Sequence, residues 1–142
     1  MPAPPRPRRL GKAANRQAVL DVLDRSDHFR SAQQLHMEIR QDHSMRIGLT
    51  TVYRILRVLV EHNIAETQRT EGGQTLYRLC TSGGHRHYLL CRRCGRAVAF
   101  TMEDVELHTA RLAQQHRFAD VTHHIDLYGT CPQCTYLNRP AF

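Results

Sequence analysis

Two short cysteine pairs constrain this chain more than any other feature. Cys91-Arg-Arg-Cys94-Gly and Cys131-Pro-Gln-Cys134 leave 36 residues between positions 94 and 131. Each CxxC turn can present two thiolates, and two such turns complete the closed tetrahedral set that zinc takes in structural sites. The alternatives are free thiols by coincidence or a redox pair, and the doubled spacing weighs against both. No open ligand position is implied. The ion is therefore expected to contribute folding free energy to the C-terminal half and to take no part in catalysis.

The compartment follows from the same residues. Five cysteines without a secretory leader suit metal or redox chemistry in a reducing environment better than a disulfide framework. No apolar run is long enough to span a bilayer, and none follows the N-terminal arginines as a signal peptide requires. A cytoplasmic protein with no membrane partner is expected. At 142 residues there is room for one ordinary domain or two small ones, and small ones need a metal or a partner chain. Lys and Arg number 20 against 13 Asp and Glu, and the first twenty residues carry five basic residues and no acid. That asymmetry suits a polyanion, because neutralised phosphates release counterions. A soluble basic protein with a disordered tail fits the charge equally well.

Along the chain, residues Met1 to Arg9 form a proline- and arginine-rich arm. Val19, Leu20, Val22 and Leu23 recur at helical spacing between Ala13 and Arg25. Ser31 and Gln34 make a capping box for a second helix with Ala32, Leu35 and Ile39 on its buried side. A third helix is expected from about Thr51 to Glu61. Its apolar stripe is Val52, Ile55, Leu56 and Leu59, with Thr50, Arg54, Arg57 and Glu61 opposite, Tyr53 beside them, and Asn63 as its stop. Two strands, Ile64–Arg69 and Thr75–Leu79, flank the hairpin signal Glu71-Gly72-Gly73. Three helices and a two-stranded ribbon are the order of a winged helix-turn-helix, spanning 1–79 with its basic arm. Residues 80–86 read as a hinge. Over 87–142, strands at His87–Leu90, Ala97–Phe100 and Val121–Tyr128 and a helix at Glu103–His116 make a small α+β unit, expected to hold metal and to dimerise.

The segment Gly48-Leu-Thr-Thr-Val-Tyr-Arg-Ile-Leu56 resembles the recognition-helix motif of the ferric uptake regulator family. His85-Arg-His-Tyr-Leu-Leu-Cys91-Arg-Arg-Cys94-Gly95 is similar to its histidine-rich strand and first zinc knuckle, and Leu127-Tyr-Gly-Thr-Cys131-Pro-Gln-Cys134 to its second. The motifs fall in family order over roughly residues 10 to 135. The resemblance implies an α+β chain with a winged helix-turn-helix followed by a dimerisation domain, acting on operator DNA as a homodimer without a small-molecule substrate. It puts Tyr53 and Arg54 on the reading face, with Tyr53 against thymine methyls. Lys12 and Arg16 approach the groove edge or phosphates, and Thr50, Thr51 and Arg57 belong to the same surface. A half-buried packing role for Tyr53 and a solvated one for Arg57 are the plainer readings.

Regulatory zinc, in addition to structural zinc, is also implied by the resemblance. Cys80, just before the histidines, resembles the zinc-sensing branch, and thiolate with imidazole suits zinc over harder ions. That branch combines an acidic residue, matched here by Glu66, with the cysteine and two alternating histidines. Counting forward from Cys80, His85 and His87 fall at sensor spacing. Counting back from Cys91, Arg86 and Tyr88 hold the sensor positions. His85 and His87 then match the family's other metal site, completed by Glu106 and His123. The two registers are exclusive, because a one-residue shift turns every side chain to the opposite face. No turn residue interrupts 85–91, so the backward register is favoured: His85, His87, Glu106 and His123 as the regulatory site, Glu66 and Cys80 incomplete or borrowing a histidine through Gly83-Gly84. Each histidine alone has the plainer reading of a polar surface or satisfied core residue.

A zinc deaminase is disfavoured, because Pro132 follows its cysteine and no HxE motif occurs; no nucleophile–base constellation or phosphate loop is legible. A zinc-ribbon module binding protein is disfavoured by the TTVYR helix and the basic arm. Within the family, iron, manganese, nickel or peroxide sensing stays open beside zinc. The expected activity is zinc-responsive repression of zinc-uptake genes.

Overall fold

The structure is a computed structural model and describes residues 1, 11–42, 46–81 and 86–137. The arginine-rich arm, Gly83-Gly84 and His85 lie outside the described residues. The chain divides into two compact units, Met1–Thr81 and Ser82–Phe142.

The first unit contains α1 (Lys12–Asp24), β1 (Arg30–Ser31), α2 (Ala32–Asp42), α3 (Leu49–Glu61), β2 (Ala65–Arg69) and β3 (Thr75–Leu79). The amphipathic spacing seen in the sequence produces one core. Val19 and Val22 of α1, Leu35 and Ile39 of α2, and Val52, Leu56 and Leu59 of α3 are all fully buried. Each contributes about 1.5–3 kcal/mol of transfer free energy. The capping box forms as expected: Gln34 N–H donates to Ser31 Oγ at 3.1 Å, and Ser31 N–H donates to Gln34 Oε1 at 2.8 Å. Helix α3 begins two residues earlier than the apolar stripe suggested, with Gly48 as its N-cap and no side-chain cap bond. It ends where Asn63 takes the left-handed conformation at φ 56°. There Ile64 N–H bonds Leu59 O and Asn63 N–H bonds Val60 O, the paired Schellman bonds that satisfy terminal carbonyls.

Strands β2 and β3 form the expected hairpin, and β1 adds an edge strand too short for any periodicity to reveal, giving the order β1-β3-β2. Arg30, almost entirely buried, terminates α1 from outside: its guanidinium donates to Val22 O at 2.6 Å and pairs with Glu38 at 2.6 Å. The last carbonyls of a helix need such a donor.

The second unit contains β4 (His87–Cys91), β5 (Ala97–Phe100), α4 (Glu103–Gln115), β6 (Asp126–Gly129) and α5 (Pro132–Leu137). The sheet order is β5-β4-β6, with β4 antiparallel to β5 and parallel to β6. The strand expected over Val121–Tyr128 is confined to the segment that finds a partner, from Tyr88↔Asp126 to Cys91↔Gly129. Upstream of it the chain turns His123 to α4 instead. Helix α5 was not foreseen; Pro132 opens it, a residue suited to a first helical position because the missing N–H has no intrahelical partner there. Helix α4 contributes no buried residue. Leu89, Val98 and Leu127 stand beside one another across the three strands and are 43%, 47% and 47% exposed, an apolar row facing solvent in the isolated chain. No helix among the described residues is long and apolar enough to cross a membrane.

Candidate metal centre

The first knuckle is built by the end of β4. Cys91 closes the strand, Gly95 N–H bonds back to Cys91 O at 3.1 Å, and Gly95 adopts φ 77°, a conformation that glycine takes without steric cost. The second knuckle lies between β6 and α5, with Thr135 N–H bonded to Cys131 O at 3.0 Å. The parallel β4/β6 pairing ends both strands side by side, so the two turns meet.

All four sulfurs lie within 4.8 Å of one another, and Cys94 Sγ and Cys131 Sγ are 3.7 Å apart. A tetrahedron with metal–sulfur bonds of about 2.3 Å has an edge of about 3.8 Å, so the four thiols are gathered on the scale of one zinc site. Electrostatics are uneven across the four. Burial pushes the Cys91 thiol up, but backbone N–H groups of Cys131, Cys94 and Arg93 aimed at its sulfur outweigh this and bring it down to about 6. The Cys131 N–H is 3.3 Å from that sulfur. Cys94 is pushed up to about 12 by burial and by the other thiols, and Cys134 is also raised, chiefly by burial. Metal binding at thiols is coupled to their deprotonation, so the lowered Cys91 thiol is the one best prepared to bind.

A second cluster joins β4, α4 and the segment before β6. His87 Nε2 and His123 Nε2 both donate to Glu106 Oε1, at 2.8 and 3.0 Å. The His87 ring is buried, tilted against Phe100 and 5.2 Å from the His123 ring. A zinc ion with bonds of about 2.0–2.2 Å would spread these donors by roughly half an ångström while keeping their identity. Three side chains able to serve as ligands are gathered among the described residues, and the resemblance assigns a fourth place to His85. Strand β4 pairs with β5 without a bulge from His87↔Phe100 to Leu90↔Ala97, which sets Tyr88 on the face opposite His87.

Glu66 and Cys80 lie in the first unit. Glu66 sits opposite Arg78 in the hairpin, and Arg78 Nε donates to Glu66 Oε1 at 2.7 Å. The Arg78 partnership was missed at the sequence level. Cys80 is exposed beyond the end of β3, its N–H donating to Ile64 O at 2.9 Å. Its thiol is pushed up by desolvation and by the Glu66 charge, with Arg78 acting in the other direction.

The other predicted residues gather on one side of α1 and α3. Lys12, Arg16, Thr51 and Arg54 line a cavity of about 270 Å³ together with Asn15, Ile55 and Val58. Thr50 and Arg54 are exposed and Tyr53 is 39% exposed. Arg57 pairs with Glu61 one turn on, at 3.1 Å. Three cations, Lys12, Arg16 and Arg54, line one cavity between the start of α1 and the middle of α3. The Tyr77 phenol is pushed up by burial and by the Tyr53 charge, and α3 packs beside the hairpin strand β2.

The sequence profile described as "Ferric uptake regulator family" matches residues 10–128. The zinc uptake regulation protein of Mycobacterium tuberculosis is 42% identical over 119 residues, covering 84% of this chain and 90% of that one. The crystal structure of M. tuberculosis FurB, described as a zinc uptake regulator, is 41% identical with a TM-score of 0.50, over 87% of this chain and 94% of that one. A zinc uptake regulator complexed with zinc and DNA aligns with a TM-score of 0.63 at 27% identity, over 87% and 83% of the two chains.

Proposed function

The chain belongs to the ferric uptake regulator family, and from that membership we propose that it is a zinc-responsive repressor that binds operator DNA as a homodimer and controls zinc-uptake genes. The observation that carries the reading is the His87–Glu106–His123 cluster: two imidazoles and a carboxylate, a donor set suited to zinc, gathered in a chain closely related to a zinc uptake regulator.

The residues divide the work. Cys91, Cys94, Cys131 and Cys134 hold a structural zinc whose role is to close the second unit. His87, Glu106 and His123, with His85, hold the regulatory ion, which supplies positive charge and fixed geometry to three separate segments. The apolar row Leu89, Val98 and Leu127 supports a second copy as the partner of residues 87–142, since an exposed contiguous apolar patch marks an interaction surface. Residues 1–79 act as the DNA-binding domain and 80–86 as its connection. Tyr53 and Arg54 read bases in the major groove. Lys12, Arg16, Thr50, Thr51 and Arg57 position the helix on phosphates and fix its register without reading sequence. Regulation follows from linkage: an ion that binds the DNA-competent dimer more tightly than other states raises its population by that difference in affinity.

Fluorescence anisotropy on DNA from the protein's own upstream region, across buffered free zinc with iron and manganese as controls, tests this directly. Binding that appears as zinc rises and reverses with chelator is expected. Binding that follows iron or manganese and ignores zinc would reassign the metal.

A further inference from the structure

The family resemblance implies a sensor corner at Glu66 and Cys80, and the residues around it do not fit an ion. Glu66 and Arg78 are cross-strand partners in the β2/β3 hairpin, and the Arg78 side chain is only 8% exposed. Its guanidinium is held on three sides: Nε donates to Glu66 Oε1 at 2.7 Å, Nη1 donates to Asp27 O at 3.3 Å, and the guanidinium carbon lies 4.4 Å from the centre of the buried Phe29 ring. The planar guanidinium is suited to all three contacts at once. A divalent ion taking the Glu66 carboxylate would have to compete with this short charge-assisted bond to a mostly buried cation, and weakening a buried ion pair is costly.

Counted back from Cys91, Arg86 and Tyr88 occupy the positions that the resemblance gives to the sensor histidines. Arg86 is an exposed cation and Tyr88 a buried phenol, and neither belongs to the Cys, His, Asp and Glu set that holds zinc. His87 is engaged elsewhere, on Glu106. Within the described residues of the first unit, no group of three or more ligand side chains gathers around Glu66 and Cys80.

We propose that Glu66 is the counter-charge of an arginine clamp and not a metal ligand, so that each chain binds two zinc ions, one at the four cysteines and one at His87, Glu106 and His123. The clamp ties β2, β3 and the segment leading to β1 together without any ion. Metal control then has a single entrance in the second unit, and the hairpin of the winged unit is held in the same way whether zinc is present or absent. This deepens the regulatory reading and rests on it for what the second ion does, but the ion count is read without DNA.

The test is zinc per chain by elemental analysis of the full chain equilibrated with buffered free zinc, for the natural sequence and for Cys80→Ser, Glu66→Gln and His123→Ala. Two ions are expected in the natural protein, two in Cys80→Ser and Glu66→Gln, and one in His123→Ala. Cys80 is exposed, so Cys80→Ser should keep the fold and decides the matter if Glu66→Gln is unstable. Three ions in the natural protein, a loss of one in Cys80→Ser, or two retained in His123→Ala would overturn the proposal. Cobalt substitution adds a spectroscopic reading: the thiolate-to-cobalt absorption should be unchanged by Cys80→Ser, and a drop would overturn the proposal. Two ions with no metal-dependent DNA binding would defeat the repressor reading and leave the clamp standing; three ions with zinc-dependent binding would do the reverse.

Discussion

Helices α3 and α4 each span thirteen residues, and they are used in opposite ways. Helix α3 buries Val52, Leu56 and Leu59 completely against α1 and α2, so its unit carries its own apolar core. Helix α4 buries nothing, and its Leu107 and Leu112 are about half exposed, at 52% and 49%. Among the described residues of its unit, the buried ones are His87, Cys91, Cys134, Tyr88 and Leu90, mostly polar or sulfur-bearing. The lesson is that a small unit with too little apolar burial can replace it with ligands and a partner surface, and then its stability depends on what it binds.

That contrast can be broken by experiment. The largest effect should come from removing zinc from the four cysteines, by chelation or by Cys94→Ser. Structural zinc in small domains is worth about 10–16 kcal/mol of apparent binding free energy, more than such a unit can spare. Hydrogen exchange should show residues 87–129 losing protection while residues 12–79 keep theirs; simultaneous loss in both units would contradict the division. Next, Leu56→Ala should cost about 2–5 kcal/mol in urea unfolding of the first unit, by an amount that does not depend on zinc. A zinc-dependent cost would mean that the core is not self-sufficient. Leu89→Glu places a charge in the apolar row and should weaken self-association at least about tenfold, or about 1.4 kcal/mol, by sedimentation, with zinc content unchanged. The smallest effect sharpens the comparison from the local side: Ser31→Ala removes one half of the capping box and should cost about 1 kcal/mol, felt in the first unit alone.

The sequence made the first unit legible because its signals are local. The apolar spacing located α1 and α3 to within a residue or two, Glu71-Gly72-Gly73 located the hairpin, and Ser31 with Gln34 located the start of α2. The four-cysteine cluster was legible because CxxC spacing is itself a ligand geometry. What escaped depends on distant partners. Strand β1 exists as two residues paired to Tyr77 and Leu76. The short extent of β6 is set by where β4 can pair with it. The Glu66–Arg78 pair could have been counted outward from the turn as a cross-strand pair of opposite charge. Its burial depends on Phe29, far away in the chain, and no hairpin pattern reports that.

The Glu106 carboxylate carries one further consequence. One carboxylate oxygen bonds both imidazoles, so β4 and the segment before β6 are tied to α4 through a single atom. Whatever takes the place of that oxygen must satisfy two rings on two separate segments at once.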